Sequence, residues 1–393
     1  MHATRILRCS LSSVLRVEHA ARVRCLLRAV EALVRGRRLT LTDLARSWPG
    51  ATWMHAPLKA LDRLLSNAHA QALATPLHGA MAAWLIRQPR PVLLVDWADL
   101  KRDGRWCLLR AAVPVGGRTL TVLERIFPIA CMNTPKAQRA FLGELKPLLP
   151  ADVTPILVTD AGFRSDWLRA VRAHGWHFIG RLRNNTRVCT HGRREWRPCT
   201  SLHEQATSTP RDLGRCRLVK GDPMEARLVL VRRARRGREH YTRTGSLQQG
   251  TASAKARKAA REPWLLVTSL GADERNAAQV VADYAKRMQI EEAFRDLKSH
   301  RYGMGLEDSQ TRSAQRLSVL LLLHALATFA AWLMALAARI VSDVDPLARQ
   351  PRHRNRYSWM RRGMEWLRHG AVPASARRQL HPPALLRLAA ACA

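Results

Sequence analysis

Three acidic side chains in this basic chain stand where chemistry would need them. Asp96 closes the apolar run PVLLV, Asp160 closes PILVT, and Glu291 lies inside YAKRMQIEEAFRDLK, residues 284–298. Carboxylates ending two strands that run parallel and side by side would meet at one region of the sheet edge, where open α/β sheets place their sites. Brought close, they repel and raise one another's pKa unless a cation separates them. A hard divalent ion suits the task, because magnesium takes oxygen ligands and keeps waters that phosphate oxygens can replace. The plainer alternative for each Asp alone is that it caps the element that follows.

The stretch 284–298 reads as one helix. At roughly 100° per residue, Arg287, Glu291, Arg295 and Lys298 fall within roughly 60° of Tyr284, while Glu292 is turned roughly 80° away. Glu291, not its neighbour, therefore supplies the third carboxylate, with Tyr284, Arg287 and Lys298 placed to hold phosphates. Ordinary pairing of Glu291 with Arg287 and Arg295, four residues to either side, explains the same spacing at a few tenths of a kcal/mol per pair.

The surrounding elements have to bring these groups together. Residues 1–90 read as helices: RVRCLLRAVEALV has helical periodicity, Thr42 is placed to cap LARSW, Pro49 and Gly50 end that helix, and PLKALDRLLSNAHAQAL follows. Two short helices around a Pro-Gly turn permit a helix-turn-helix-like DNA reader, with Lys59 and Arg63 toward phosphates; a small helical bundle gives the same pattern. From Pro91 the texture is that of strands. PVLLVDWADL, WCLLRAAVPV and RTLTVLERIFP form an antiparallel meander, followed by a helix (KAQRAFLGELKPLL), a strand (TPILVTD), a helix (RSDWLRAVRAHG) and a strand (HFIGRLR). This βββαβαβ order is that of a ribonuclease H-like α/β fold, a mixed sheet with flanking helices. Residues 184–261 break the pattern as a β-rich basic insertion, with a basic loop from Val231 to Lys258. EPWLLVTSL resumes strand character, and ERNAAQVVADYAKRMQIEEAFRDLKSH reads as one long amphipathic helix.

The formal net charge is +36, from 66 Lys plus Arg against 30 Asp plus Glu, and the pI is 11.5. Such a surplus favours a polyanion, with nucleic acid as the leading partner; an arginine-rich codon bias is the competing explanation. Eight scattered cysteines without a C-x-x-C pair indicate neither a zinc cluster nor a disulfide framework. Arg8 interrupts the N-terminus before a signal-peptide core accumulates, and a cytoplasmic setting is expected. Leu317–Ala338 is uncharged for the length of a bilayer span. A core helix apolar on every side reads identically, and His324 near its middle would be costly in lipid.

Tyr284, Arg287, Glu291 and Lys298 reproduce the Y-(2)-R-(3)-E-(6)-K spacing of the fourth insertion-sequence family of bacterial DDE transposases. The chain resembles that family over nearly its whole length, through VDWADLKRDGRWCLLRAAVPVGGRTLTVLERIFP, VTDAGF, EPWLLVTSL, DRLLSNAHA and RRGMEWLRHG. The resemblance implies a helical domain (1–90) that recognises terminal inverted repeats, and a ribonuclease H-like core (91–183 and 262–345) interrupted by the mainly β insertion (184–261). It further implies a basic C-terminal region (346–393) for synapsis. Family members cut and paste DNA through a hairpin in which a flipped base stacks on a tryptophan, and Trp264 matches by context; packing in the core is the alternative for that ring. Asp96, Asp160 and Glu291 would hold two magnesium ions, with manganese as a substitute, for in-line displacement at phosphorus. The expected partners are double-stranded DNA, as transposon ends and target, and a second copy of the chain in a synaptic dimer. A DNA-binding protein with an inert catalytic fold and a host ribonuclease H-like nuclease are the competing readings.

Overall fold

Hydrophobic alternation bounded by charged and glycine turns forms the expected meander: β1 (Val92–Asp99), β2 (Trp106–Pro114) and β3 (Thr119–Pro128), each antiparallel to its neighbour. Gly116 and Gly117 have φ of 69° and 90° in the β2–β3 turn, a region open to glycine because it has no Cβ. The structure, a computed structural model, describes residues 2–184, 186–233, 262–341 and 358–369. The basic loop expected at 231–258 lies outside the described residues from 234 onward, as does the C-terminal region 346–393 apart from 358–369. The described residues fall into two compact units, one from Met1–Pro155 with Met288–Ala393 and the other from Ile156–Arg287.

In the first unit the strand order is β3-β2-β1. Ahead of the strands come α1 (His2–Ser10), α2 (Ser12–Leu15), α3 (Ala20–Gly36), α4 (Leu41–Arg46), α5 (His55–Ser66), α6 (Ala68–Ala72) and α7 (Ala74–Leu85), and α8 (Pro135–Leu145) follows them. Later in the chain, α11 (Met288–Lys298) lies on β1, β2 and β3. The stretch long enough to cross a bilayer is α12 (Ala314–Val341), whose apolar window is wholly buried. Helices α1, α3, α5, α6 and α7, strand β3 and α13 (Trp359–His369) surround it. An all-round apolar helix is stable in that setting because every face meets protein.

In the second unit, β4 (Ile156–Val158) runs parallel to β5 (His177–Leu182), with α9 (Ser165–Ala173) between them in sequence. β10 (Trp264–Thr268) lies antiparallel to β5, and the sheet continues through β9 (Met224–Val231), β8 (Arg211–Leu218), β6 (Arg187–Thr190) and β7 (Arg197–Pro198). The segment read as an insertion thus extends the sheet through β10 rather than folding away from it. Its last helix is α10 (Ala277–Ala285), opened by a capping box between Asn276 and Gln279.

Three local expectations are corrected. The single helix expected over 284–298 is two, α10 and α11, separated by a turn at Lys286 and Arg287. There the backbone bonds shorten to Lys286 N–H on Asp283 O (3.2 Å) and Arg287 N–H on Tyr284 O (3.0 Å). The two helices also differ in phase: α10 buries Val280, Asp283 and Tyr284, whereas α11 buries Ile290, Ala293, Phe294 and Leu297. On one unbroken helix these stripes would point roughly 80° apart. PLKALDRLLSNAHAQAL also divides, because the Asn67 side chain accepts from Ala70 N–H and starts α6. The cap of α4 is Thr40 rather than Thr42, its hydroxyl accepting from Asp43 N–H at 3.1 Å.

Candidate active site

Asp96 sits in β1, 8% exposed, with Trp97 N–H donating to its Oδ1 at 2.9 Å. It lies directly opposite Arg110 of β2, and residues opposite each other on antiparallel strands leave the sheet on one face. Arg110 stacks its guanidinium over the ring of Phe294 in α11, 5.0 Å from the centroid. The face that bears Asp96 is therefore the face that α11 covers. Glu291 stands three residues before Phe294, hence beside it on the helix surface. Asp96 and Glu291 are so carried on facing elements of one unit.

The neighbouring carboxylates of α11 have partners on the hairpin. Glu292 pairs with Arg118 of the β2–β3 turn (3.9 Å) and with Arg295, and Asp296 binds the same Arg118 at 2.5 Å. Glu292 thus belongs to a charge network that fastens α11 to the hairpin. Lys298, seven residues from Glu291 and so on the same helix face, donates through Nζ to Asp99 O at the end of β1 (3.1 Å).

A buried charged group lies on this same face. Arg110 donates from Nε (3.0 Å) and a terminal nitrogen (2.7 Å) to Glu124 Oε2 on β3, and His78 Nε2 of α7 lies 3.8 Å from Glu124 Oε1. Burial is the first cause that pushes His78 down to about 4 and His324 of α12 down to about 3; Glu124 opposes both shifts and Arg110 reinforces them. Arg110 and His78 hold the Glu124 carboxyl below its usual range against the opposing effect of its own burial. The sequence reading missed this group. Its signal was Arg110 and Glu124, opposite charges inside two mainly apolar strands of one hairpin.

The second unit carries Asp160, Tyr284, Arg287 and Trp264. Asp160 follows β4, and its Oδ1 accepts from Gly162 N–H at 2.8 Å. Tyr284 is 3% exposed. Burial raises its phenol pKa and the Asp160 charge adds to that, against the nearby guanidinium groups of Arg287 and Arg181 and a hydrogen bond with Arg287. Asp160, Tyr284, Arg287 and Arg181 are thus electrostatic neighbours. Trp264 of β10 meets Tyr284 edge to face, with ring centroids 4.8 Å apart and planes at 76°, and Arg233 lies over its indole at 4.7 Å. Arg181, from the strand HFIGRLR, and Arg233 went unnoticed in the sequence; in a chain so rich in arginine neither stands out without strand register.

The predicted residues therefore group as Asp96, Glu291 and Lys298 in one unit and Asp160, Tyr284, Arg287 and Trp264 in the other. Lys59 and Arg63 are elsewhere, exposed on α5. Among the described residues, neither unit by itself gathers three His, Cys, Asp or Glu side chains into a metal-holding group. The donor set of Asp96, Asp160 and Glu291 is all carboxylate oxygen, which fits a hard divalent cation. The model of the transposase DDE domain matches residues 87–329, more than half of the chain. No curated protein matches it. Domains of this kind act on DNA and generally use divalent metals. From the family match, the chain belongs to the DDE transposases, enzymes that break and rejoin DNA strands.

Proposed function

We propose that this chain is a cut-and-paste transposase of the fourth insertion-sequence family, working on double-stranded DNA at the nucleoid in the bacterial cytoplasm. It binds the terminal inverted repeats of its own element, pairs two ends as a dimer, cleaves through a hairpin and joins the ends to target DNA. The observation that carries this reading is the placement of Asp96 on β1 beneath α11, the helix that bears Glu291 and Lys298, in a chain matched by the DDE domain.

Asp96, Asp160 and Glu291 would hold the divalent cations. When bound, a pair of such ions activates the attacking water or 3′-hydroxyl and neutralises charge on the phosphate. The side chains around them position the DNA. Arg287 and Lys298 neutralise phosphate oxygens of the strand being cut. Tyr284 is buried and orients Arg287 through its hydroxyl rather than reaching out to phosphate itself. Lys298 is pre-set by its bond to Asp99 O, so less side-chain freedom is lost when it meets DNA. Trp264 serves as the stacking platform for the flipped base, which would exchange places with the Arg233 guanidinium.

The test is strand cleavage in magnesium on a duplex carrying the terminal repeats that border the gene. Asp96→Ala, Asp160→Ala and Glu291→Ala should each lose nicking while retaining a band shift on the same duplex, and Glu292→Ala should still nick. Normal nicking by Glu291→Ala would refute the assignment. Trp264→Ala should slow hairpin formation more than first-strand nicking; equal slowing of both steps would reduce that ring to packing.

A further inference from the structure

The corner between α4 and α5 leaves two large apolar side chains in water. Trp53 is 81% exposed and Met54 37%, and every residue from 50 to 56 is exposed. Nearby Trp48, by contrast, is buried, so one indole anchors the corner and the other projects from it. Pro49 and Gly50, the latter at a φ of 71°, turn the chain outward between them. The indole stands outside the packing of α5, which buries Pro57, Leu61, Leu64 and Leu65.

The surroundings are basic. Arg46, at the end of α4, has its side chain 66% exposed, and His55, Lys59 and Arg63 follow along the exposed side of α5 at four-residue intervals. The carboxylate on that side, Asp62, is paired with Arg316 at 2.7 Å, which offsets part of the repulsion a phosphate would meet. Residues 50–56 (GATWMHA) carry no Asp, Glu, Lys or Arg of their own. An uncharged aromatic tip flanked by cations matches duplex DNA, whose phosphates surround grooves that present thymine methyls and base edges. A basic helix preceded by such a tip is placed to set its cations on phosphates and its indole on the bases.

We infer that Trp53 is a base-contacting residue of the duplex-binding surface, reading sequence by apolar contact while Lys59 and Arg63 supply charge. This rests on the proposed recognition of element ends, and it adds the residue that tells an end from other DNA. Base contacts specify whereas phosphate contacts position, so the two kinds separate experimentally. Phosphate contacts set the slope of log affinity against log salt, and an apolar base contact does not.

The experiment titrates the full chain, in fluorescence anisotropy over a salt series, against two duplexes. One carries the terminal repeat bordering the gene, and the other is a shuffled duplex of equal composition. Trp53→Ala should weaken binding to the repeat by about 10- to 100-fold and leave the shuffled duplex and both salt slopes unchanged. Trp53→Phe should restore most of the loss, and Lys59→Ala should instead lower the slope by about 1 on both duplexes. Wild-type affinity of Trp53→Ala for the repeat overturns the inference while leaving end recognition intact, as does an equal loss on both duplexes with a shallower slope. If the wild-type chain itself fails to distinguish the two duplexes, end recognition fails and this inference with it.

Discussion

Acidification should loosen the first unit through two buried imidazoles. His78 and His324 titrate near 6.5 in an unfolded chain but at about 4 and about 3 in the folded one. Between those values the unfolded state binds more protons than the folded state, so stability falls as pH falls. Their contribution is complete above pH 6.5 or so and is lost progressively below it. From pH 7 to pH 5 the linkage integral gives about 2 kcal/mol for each ring, about 4 kcal/mol together. That is a large share of the 5–15 kcal/mol that typically separates folded from unfolded. Glu124, held below its usual range by Arg110 and His78, adds little over that interval because it is ionised in both states until the pH nears its unfolded value. The charged groups facing the rings are Glu124 on β3, Arg110 on β2 and, for His78, Arg125. Urea unfolding followed by tryptophan fluorescence at pH 7, 6 and 5 measures the effect. His78→Gln and His324→Gln should each lose about 2 kcal/mol less than wild type between pH 7 and 5, whatever either costs at pH 7. An identical pH dependence in wild type and both variants would refute the reasoning.

Other expectations concern single contacts. Glu292→Ala removes partly exposed pairs with Arg118 and Arg295, so it should cost at most about 1 kcal/mol; a larger fall in unfolding midpoint, or lost nicking, would give Glu292 a role denied to it here. In Gly363→Ala the new methyl carbon would lie 1.7 Å from Ala331 O on the facing helix. Backbone cannot yield as a side chain can, so net destabilisation of about 2 kcal/mol is expected despite the better helix propensity of alanine, and a raised melting temperature would contradict the close approach of α13 to α12. Tyr284→Phe deletes the hydroxyl bonded to Arg287; cleavage should fall roughly tenfold with DNA binding kept, the loss of one hydrogen bond to a charged group, and undiminished cleavage would leave the phenol a packing role only.

The meander, β4, β5, β10 and the core helix were legible because each is a run whose apolar period or length has one stable solution. Asp96 and Asp160 stood out as rare acids closing apolar runs, but β1 continues past Asp96 to Asp99, so Asp96 lies within its strand rather than at its end. Register was not legible, and register is what places Asp96 opposite Arg110 and Arg110 opposite Glu124. Without it, Arg110 reads as one arginine among many, although it is 1% exposed and links the Asp96 face to Phe294. The caps at Thr40 and Asn67 fell to the same difficulty: several polar residues can start a helix, and the tertiary position of its first turn chooses among them.

The broken helix carries the more general lesson. Periodicity over 277–298 was strong enough to join α10 and α11, and the angular argument that selected Glu291 over Glu292 assumed that they were joined. That premise falls with the turn at 286–287. Within α11 alone, Glu291 and Lys298 share a face, while Glu292 and Asp296 share the one that Arg118 engages. Tyr284 and Arg287 reach their partners independently, through the burial of α10 against the sheet of the second unit. The four-residue spacing is therefore two short constraints laid end to end. The turn at 286–287 divides the buried stripes: Tyr284 packs on Trp264 within the second unit, and Phe294 and Leu297 are buried within the first.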